Sequence, residues 1–197
     1  MVGELQYTQK THKELTMTRW NIDPAHSEIT FKVKHLLVST VTGHCARFNA
    51  AIEYEKDAFS DARFTFEAQV AGITTGNEQR DAHLTSADFF DGGSYLTISF
   101  VSTSVRKLND HELNIRGDLT MRGVTKEITL DVVYNGIVAG FGGNRIAGFE
   151  ARVSVNRFDF GLQWNALTEA GGVVVGNEVR IEILSEFTDA TQQTKAA

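Results

Sequence analysis

A single cysteine, Cys45, stands among 197 residues, so no intrachain disulfide can staple this chain. Nowhere do apolar residues run far enough to span a bilayer. Residues Met1 to Arg19 are polar and lack the apolar core of a secretory signal, and no Asn-x-Ser/Thr glycosylation acceptor occurs. These absences lead us to expect a cytoplasmic protein with no integral membrane segment, or a periplasmic one if a signal has been removed. Clustered basic charge is missing too. The formal charge is −6, from 19 Lys and Arg against 25 Asp and Glu, and the cations are scattered. Nucleic acid is therefore not the expected partner, because phosphate binding relies on a cationic surface. No Gly-x-Ser-x-Gly elbow, no Gly-x-x-x-x-Gly-Lys phosphate loop and no His-Glu-x-x-His motif occurs either.

Alternation of apolar and polar residues at period two dominates what is present. Ile29, Phe31 and Val33 alternate with polar neighbours, then Phe48 to Tyr54, and then Phe64 to Val70. Leu96 to Phe100, Leu113 to Leu119, Ile128 to Tyr134, Ala147 to Val155 and Val179 to Ile183 bring the stretches to eight. Turn signals separate them, among them Asp91-Gly92-Gly93, Arg122-Gly123 and Asn135-Gly136. Each stretch suits an antiparallel sheet with one dry face. A two-sheet sandwich would carry the same pattern. An all-β, eight-stranded antiparallel barrel is the favoured reading, because closure removes exposed edges and leaves an interior for a small ligand. Residues 19–187 form this domain, between a polar N-terminal extension, 1–18, and a polar C-terminal tail, 188–197.

Two stretches break the alternation. Residues 35–40 read as a short helical turn entering a loop. Residues 77–90 read as short helical segments, with Thr75 and Glu78 forming a capping box. Arg80, His83 and Leu84 share one helix face, and Ser86 caps a second turn that carries Asp88, Phe89 and Phe90. Asp81, His83, Asp88 and Asp91 make an acid/base group on paper, but Asp81 neutralising Arg80 and the other carboxylates ending turns is the stronger reading. His35, His44 and Cys45 lie close in sequence, at a spacing that matches no standard zinc pattern.

Trp20-Asn21-Ile22-Asp23-Pro24-Ala25-His26-Ser27, leading into Phe31-Lys32-Val33-Lys34-His35, resembles the opening of the YceI-like, lipocalin-like family of polyisoprenoid-binding proteins. Asn77 with Arg80-Asp81-Ala82-His83-Leu84 and Asp88-Phe89-Phe90-Asp91 is similar to that family's central motif. Tyr95 to Phe100, Gly117-Asp118-Leu119-Thr120 with Arg122 to Lys126, and Asn156-Arg157-Phe158-Asp159-Phe160-Gly161 resemble later blocks. The resemblance runs from about Trp20 to Phe187. It implies an extended barrel whose hydrophobic pore holds a long apolar chain: a polyisoprenoid, an isoprenoid quinone or a fatty amide. It also implies a homodimer. One departure falls at Gly43-His44-Cys45, where the family pattern usually has an aromatic residue.

The expected site residues follow from both readings. Phe31, Phe48, Phe66, Phe100, Phe149 and Phe160 would form the wall, with Phe89 and Phe90 anchoring the irregular segment or meeting the ligand. Arg80, His83 and Arg122 would serve the ligand's head group. The expected function is non-enzymatic binding, carriage or sequestration of a long-chain lipid, with no cofactor. The alternatives are a stress-response interaction module filled by its own side chains, and a metal-assisted hydrolase.

Overall fold

A strand with one dry face must hide it against other dry faces, and here the strands do so by curling into a ring. The computed structural model describes residues 17–55, 59, 61–140, 143–166 and 173–190. The expected N-terminal extension and C-terminal tail lie outside these residues, except at their inner ends. Strands β1 (Thr18–Ile22), β2 (Glu28–His35), β3 (Ser39–Cys45), β4 (Phe48–Tyr54), β5 (Arg63–Gln69) and the short β6 (Ile73–Thr74) come first. Helix α1 (Glu78–Thr85) follows, then β7 (Thr97–Lys107), β8 (Glu112–Met121), β9 (Val124–Ala139), β10 (Arg145–Asn156) and β11 (Val175–Asp189).

All the pairings are antiparallel, and they close. The long β11 pairs with β2 along its first part, Glu182 opposite Thr30, and with β1 near its end, Phe187 opposite Ile22. Strands β1 and β2 are therefore two pieces of one stave, interrupted by the 3-10 turn Pro24–His26 that Asp23 caps. Likewise β3 pairs with β2 and β4 with β1, so both belong to a second stave that bends at Ala46-Arg47. Counted this way, the ring is a closed eight-stranded antiparallel barrel, in the order β11, β1/β2, β3/β4, β5, β7, β8, β9, β10. Register shifts at Gly148/Phe149 and Ser102/Ser104 supply the local bends that closure needs.

The two ends differ. At one, Phe59 turns inward from the β4–β5 connection and stands edge-on to Trp20, Tyr54, Tyr134 and Phe149, with ring centroids 5.2–6.2 Å apart. Trp20 is fully buried, and its indole N–H donates to the Tyr54 hydroxyl. At the other end lie the β2–β3 hairpin, α1, the β8–β9 turn and the 3-10 turn Arg157–Phe160.

The structure corrects two expectations. Residues 35–40 are not helical: Leu36 and Leu37 take left-handed φ angles of 52° and 61°, and the Val38 N–H donates to the His35 carbonyl, closing a tight hairpin turn. Helix α1 does form, but its cap is Asn77, whose side chain accepts from the Arg80 N–H. The Thr75–Glu78 box is not made, because Thr75 is turned toward Asp81.

Phe59 meets four aromatic rings from one loop position. Phe59→Ala is expected to lower the unfolding free energy by about 3–5 kcal/mol in urea titrations. A loss below roughly 1 kcal/mol would show that the ring cluster does not brace that end of the barrel.

Candidate functional site

The inward face of an alternating ring is apolar by construction, and the question is whether side chains fill it. They do not. An interior cavity of about 230 Å³ runs along the barrel, enough for several water molecules. Its wall begins beside the aromatic plug at Ile22, Phe64, Phe149 and Phe187. It continues past Phe66, Phe100, Ile115 and Ala151 to Val33, Leu84, Phe89, Phe90, Leu162 and Val175 at the α1 end. Several of those last residues are only half-buried, so the wall reaches the surface there.

Two wall aromatics depend on missing Cβ atoms. The Phe31 ring lies over Gly43, directly opposite it across the β2–β3 ladder, where a Cβ would sit 2.2 Å from the ring. The Phe100 ring reaches over Gly117 from a diagonal position, where a Cβ would sit 2.5 Å from the ring and equally close to the Val101 carbonyl oxygen. Glycine at each position lets a flat ring form the wall without pushing the strands apart.

Few polar residues border the cavity, and their hydrogen bonds point elsewhere. Thr65 and Ser185 donate their hydroxyl hydrogens to the carbonyls of Ala51 and Phe149. Arg157 is buried and has no carboxylate partner among the described residues. It donates instead to the carbonyls of Leu162, Trp164, Val175 and Gly176, and burial draws its guanidinium below the usual arginine value. These bonds tie the segment after the 3-10 turn to the start of β11. Water inside such a cavity would find almost no partners, whereas an apolar chain would need none.

Phe31, Phe66, Phe89, Phe90, Phe100 and Phe149 border the cavity. Phe48 packs on Phe66 behind the wall, and Phe160 is buried in the core at the foot of its 3-10 turn. The three expected head-group residues do not border it, and each already has partners. Arg80 donates to the Thr75 hydroxyl and carbonyl. Arg122 donates to the carbonyls of Gly161 and Ala87, latching two connections across the α1 end. His83 Nε2 lies 2.9 Å from the Asp88 carboxylate, and its ring is held edge-on between Phe89 and Trp164. Cys45, the departure from the family pattern, borders the cavity, as does Arg157, which the sequence did not single out; Trp164 stands beside it against His83 and Phe89.

The acid/base grouping also dissolves in the geometry. Asp81 accepts from Thr74 Oγ1, the Thr75 N–H and the Thr75 hydroxyl. Burial pushes its carboxyl up, but the bonds from Thr75 and Thr74, with Arg80 nearby, outweigh this and hold it below the ordinary value. Among the described residues, no group of three or more His, Cys, Asp or Glu side chains is arranged to hold a metal ion; His44 instead faces Glu28.

Comparison with known proteins gives a consistent likeness. The sequence model of the YceI-like domain matches residues 20–187. A UPF0312 protein of Staphylococcus aureus strain MSSA476 is 38% identical over 173 residues, covering 87% of this chain and 98% of the relative. Among solved structures, Burkholderia cenocepacia BcnA superposes with a TM-score of 0.73 at 19% identity, covering 84% of this chain and 98% of that one. The Campylobacter jejuni YceI protein gives 0.68 at 24%, covering 93% and 97%. A polyisoprenoid-binding domain of Saccharophagus degradans, implicated in plant cell wall breakdown, gives 0.64 at 13%, covering 86% and 98%. At these identities the solved structures establish a shared fold.

Two measurements check the site. Burial in the pore wall pushes the Cys45 thiol up from 9.0 to about 11. Its alkylation near pH 8 should therefore run roughly a hundredfold slower than that of an ordinary thiol, and recover in denaturant. Asp81, held below its ordinary 3.8, contributes stability above that pH and loses it as pH falls through the lowered value. Asp81→Asn should accordingly destabilise the protein near neutrality, and the gap should close in acid. An equal gap at both pH values would mean that the ionised carboxylate is not what anchors α1.

Proposed function

This chain belongs to the YceI-like domain family, and from that membership and its dry, one-ended pore we propose that it binds a single long-chain apolar ligand. A polyisoprenoid or related lipid is the class that fits best, enclosed for carriage or sequestration. The observation that carries this reading is a cavity of about 230 Å³ whose bordering hydroxyl and guanidinium groups are already bonded to backbone carbonyls. Support for an isoprenoid comes from the solved polyisoprenoid-binding domain that shares the fold. A pore filled by its own side chains would leave no such space.

The arrangement suits the chain of a lipid better than its head. Each buried CH₂ contributes about 0.8 kcal/mol, and affinity saturates near roughly −20 kcal/mol after ordering costs. A pore of this kind therefore selects by girth and by the depth at which Phe59 stops the chain. With Arg80, His83 and Arg122 engaged elsewhere, the head group would rest at the open end, in water.

Organic extraction of freshly purified protein, followed by lipid mass spectrometry, should recover a long-chain lipid from the wild type and much less from Ala151→Trp, which fills the mid-pore. Added long-chain isoprenoid alcohol at about a hundredfold excess over Kd should stabilise the wild type by roughly 2.7 kcal/mol. Recovery of no lipid together with no stabilisation would overturn the reading.

A further inference from the structure

The tip of the β2–β3 hairpin is oddly built. Leu36, Leu37 and Val38 are 39%, 69% and 85% exposed. His35 pairs with Ser39, so the loop has three residues, and its β-turn His35–Val38 has left-handed backbone at both central positions, where Asn-Gly is favoured; leucines stand there instead, at φ 52° and 61°. Folding gains little from these choices: the backbone is disfavoured for a side chain of this size, and most of the Leu37 and Val38 surface is left in water.

Location gives the tip a use. It stands at the end where the pore wall surfaces, and it continues that wall outward. Val33, which borders the pore, lies on the same strand, and the Leu36 N–H donates to the Val174 carbonyl, next to the pore residue Val175. Charge points the same way. Between Ile29 and Ile52 there is no Asp or Glu, while Lys32, Lys34 and Arg47 fall there, in a chain of formal charge −6; Glu28, at the foot of the hairpin, faces His44. Lys32 is bound to Glu182. Lys34 is exposed and makes no ion pair among the described residues.

We propose that the hairpin Glu28–Cys45 is a membrane-docking finger: its aliphatic tip enters the acyl boundary of a bilayer, with Lys34 at the level of anionic head groups. Aliphatic side chains flanked by a long cationic one match the layering of such a surface. A second protein is a poorer occupant. A convex three-residue tip covers far less than the roughly 800 Å² per partner of a stable interface, whereas a fluid bilayer needs no shape match. The docked hairpin sets the pore mouth against the lipid layer, so a ligand's chain passes between them without crossing water. That exchange role rests on the carrier reading above; the docking itself does not.

Flotation of the purified full chain with vesicles tests this. One set is phosphatidylcholine alone, and the other is phosphatidylcholine and phosphatidylglycerol in equal parts. Wild type should float with the mixed vesicles and more weakly with the neutral ones. The double variant Leu36→Asn, Leu37→Gly installs the turn that the backbone prefers, so it keeps the fold, and it should lose at least tenfold in partitioning. Lys34→Glu should erase the preference for anionic vesicles. Val138→Ser, 64% exposed at the opposite end of the barrel, should change nothing. No flotation of wild type, or equal flotation of the double variant, overturns the proposal. So does a double variant that merely turns a dimer into a monomer, since the tip would then join two copies. Lipid extraction from the same samples separates the two claims: extracted lipid without flotation removes docking alone, and flotation without extracted lipid removes the carrier reading alone.

Discussion

Closure of the hydrogen-bonded ring is the constraint on which everything else depends. Once β11 pairs with β2 and β1, and β4 with β5, the wall's backbone donors and acceptors are used around most of the circumference, the outer edge of β3 meeting only the short β6. The interior then receives only side chains, and alternation makes those apolar. Wherever a polar side chain faces inward, it must find a carbonyl on the wall itself. Thr65, Ser185 and Arg157 do so, which leaves few polar groups free to hold water in the lumen.

The same logic organises the open end, where strands stop and connections begin. Connections carry unpaired backbone groups, and charged side chains collect there to satisfy them. Arg122 holds the carbonyls of Ala87 and Gly161; Arg157 holds four more; Asp81 gathers the N–H and hydroxyl of Thr75. What looks in one dimension like a reactive cluster is, in three, the scaffold that keeps irregular backbone solvent-tolerant and fixed beside a hydrophobic opening. His83, braced edge-on by Phe89 and Trp164 while facing Asp88, belongs to that scaffold as much as the arginines do.

Legibility followed periodicity. Eight alternating stretches mark the staves because burial on one face leaves a repeat of two. Strand β3 is far harder to read: its inward positions are Val41, Gly43 and Cys45, too small or too few to stand out, while Leu36-Leu37-Val38 imitates a helix. A tight turn made of leucines carries no turn signature at all. Phe59 escaped for a different reason, since one residue in a connection has no period. Thr75 and Asn77 are both good caps, and only the positive φ of Gly76, together with Asp81's claim on Thr75, decides between them. The placement of Arg157 depends on four carbonyls that converge from segments distant in sequence, which no local pattern encodes.

The glycines beneath Phe31 and Phe100 carry one more consequence. In most small barrels the bore is set by strand number and tilt, quantities that change only if ladders break. Here two stretches of wall are benzyl groups lying over bare backbone, so the local width is governed by side-chain torsions. Either ring could turn about its side-chain torsions without breaking a strand pairing. The channel's local calibre is thus set by side-chain torsions as well as by the strand frame around it.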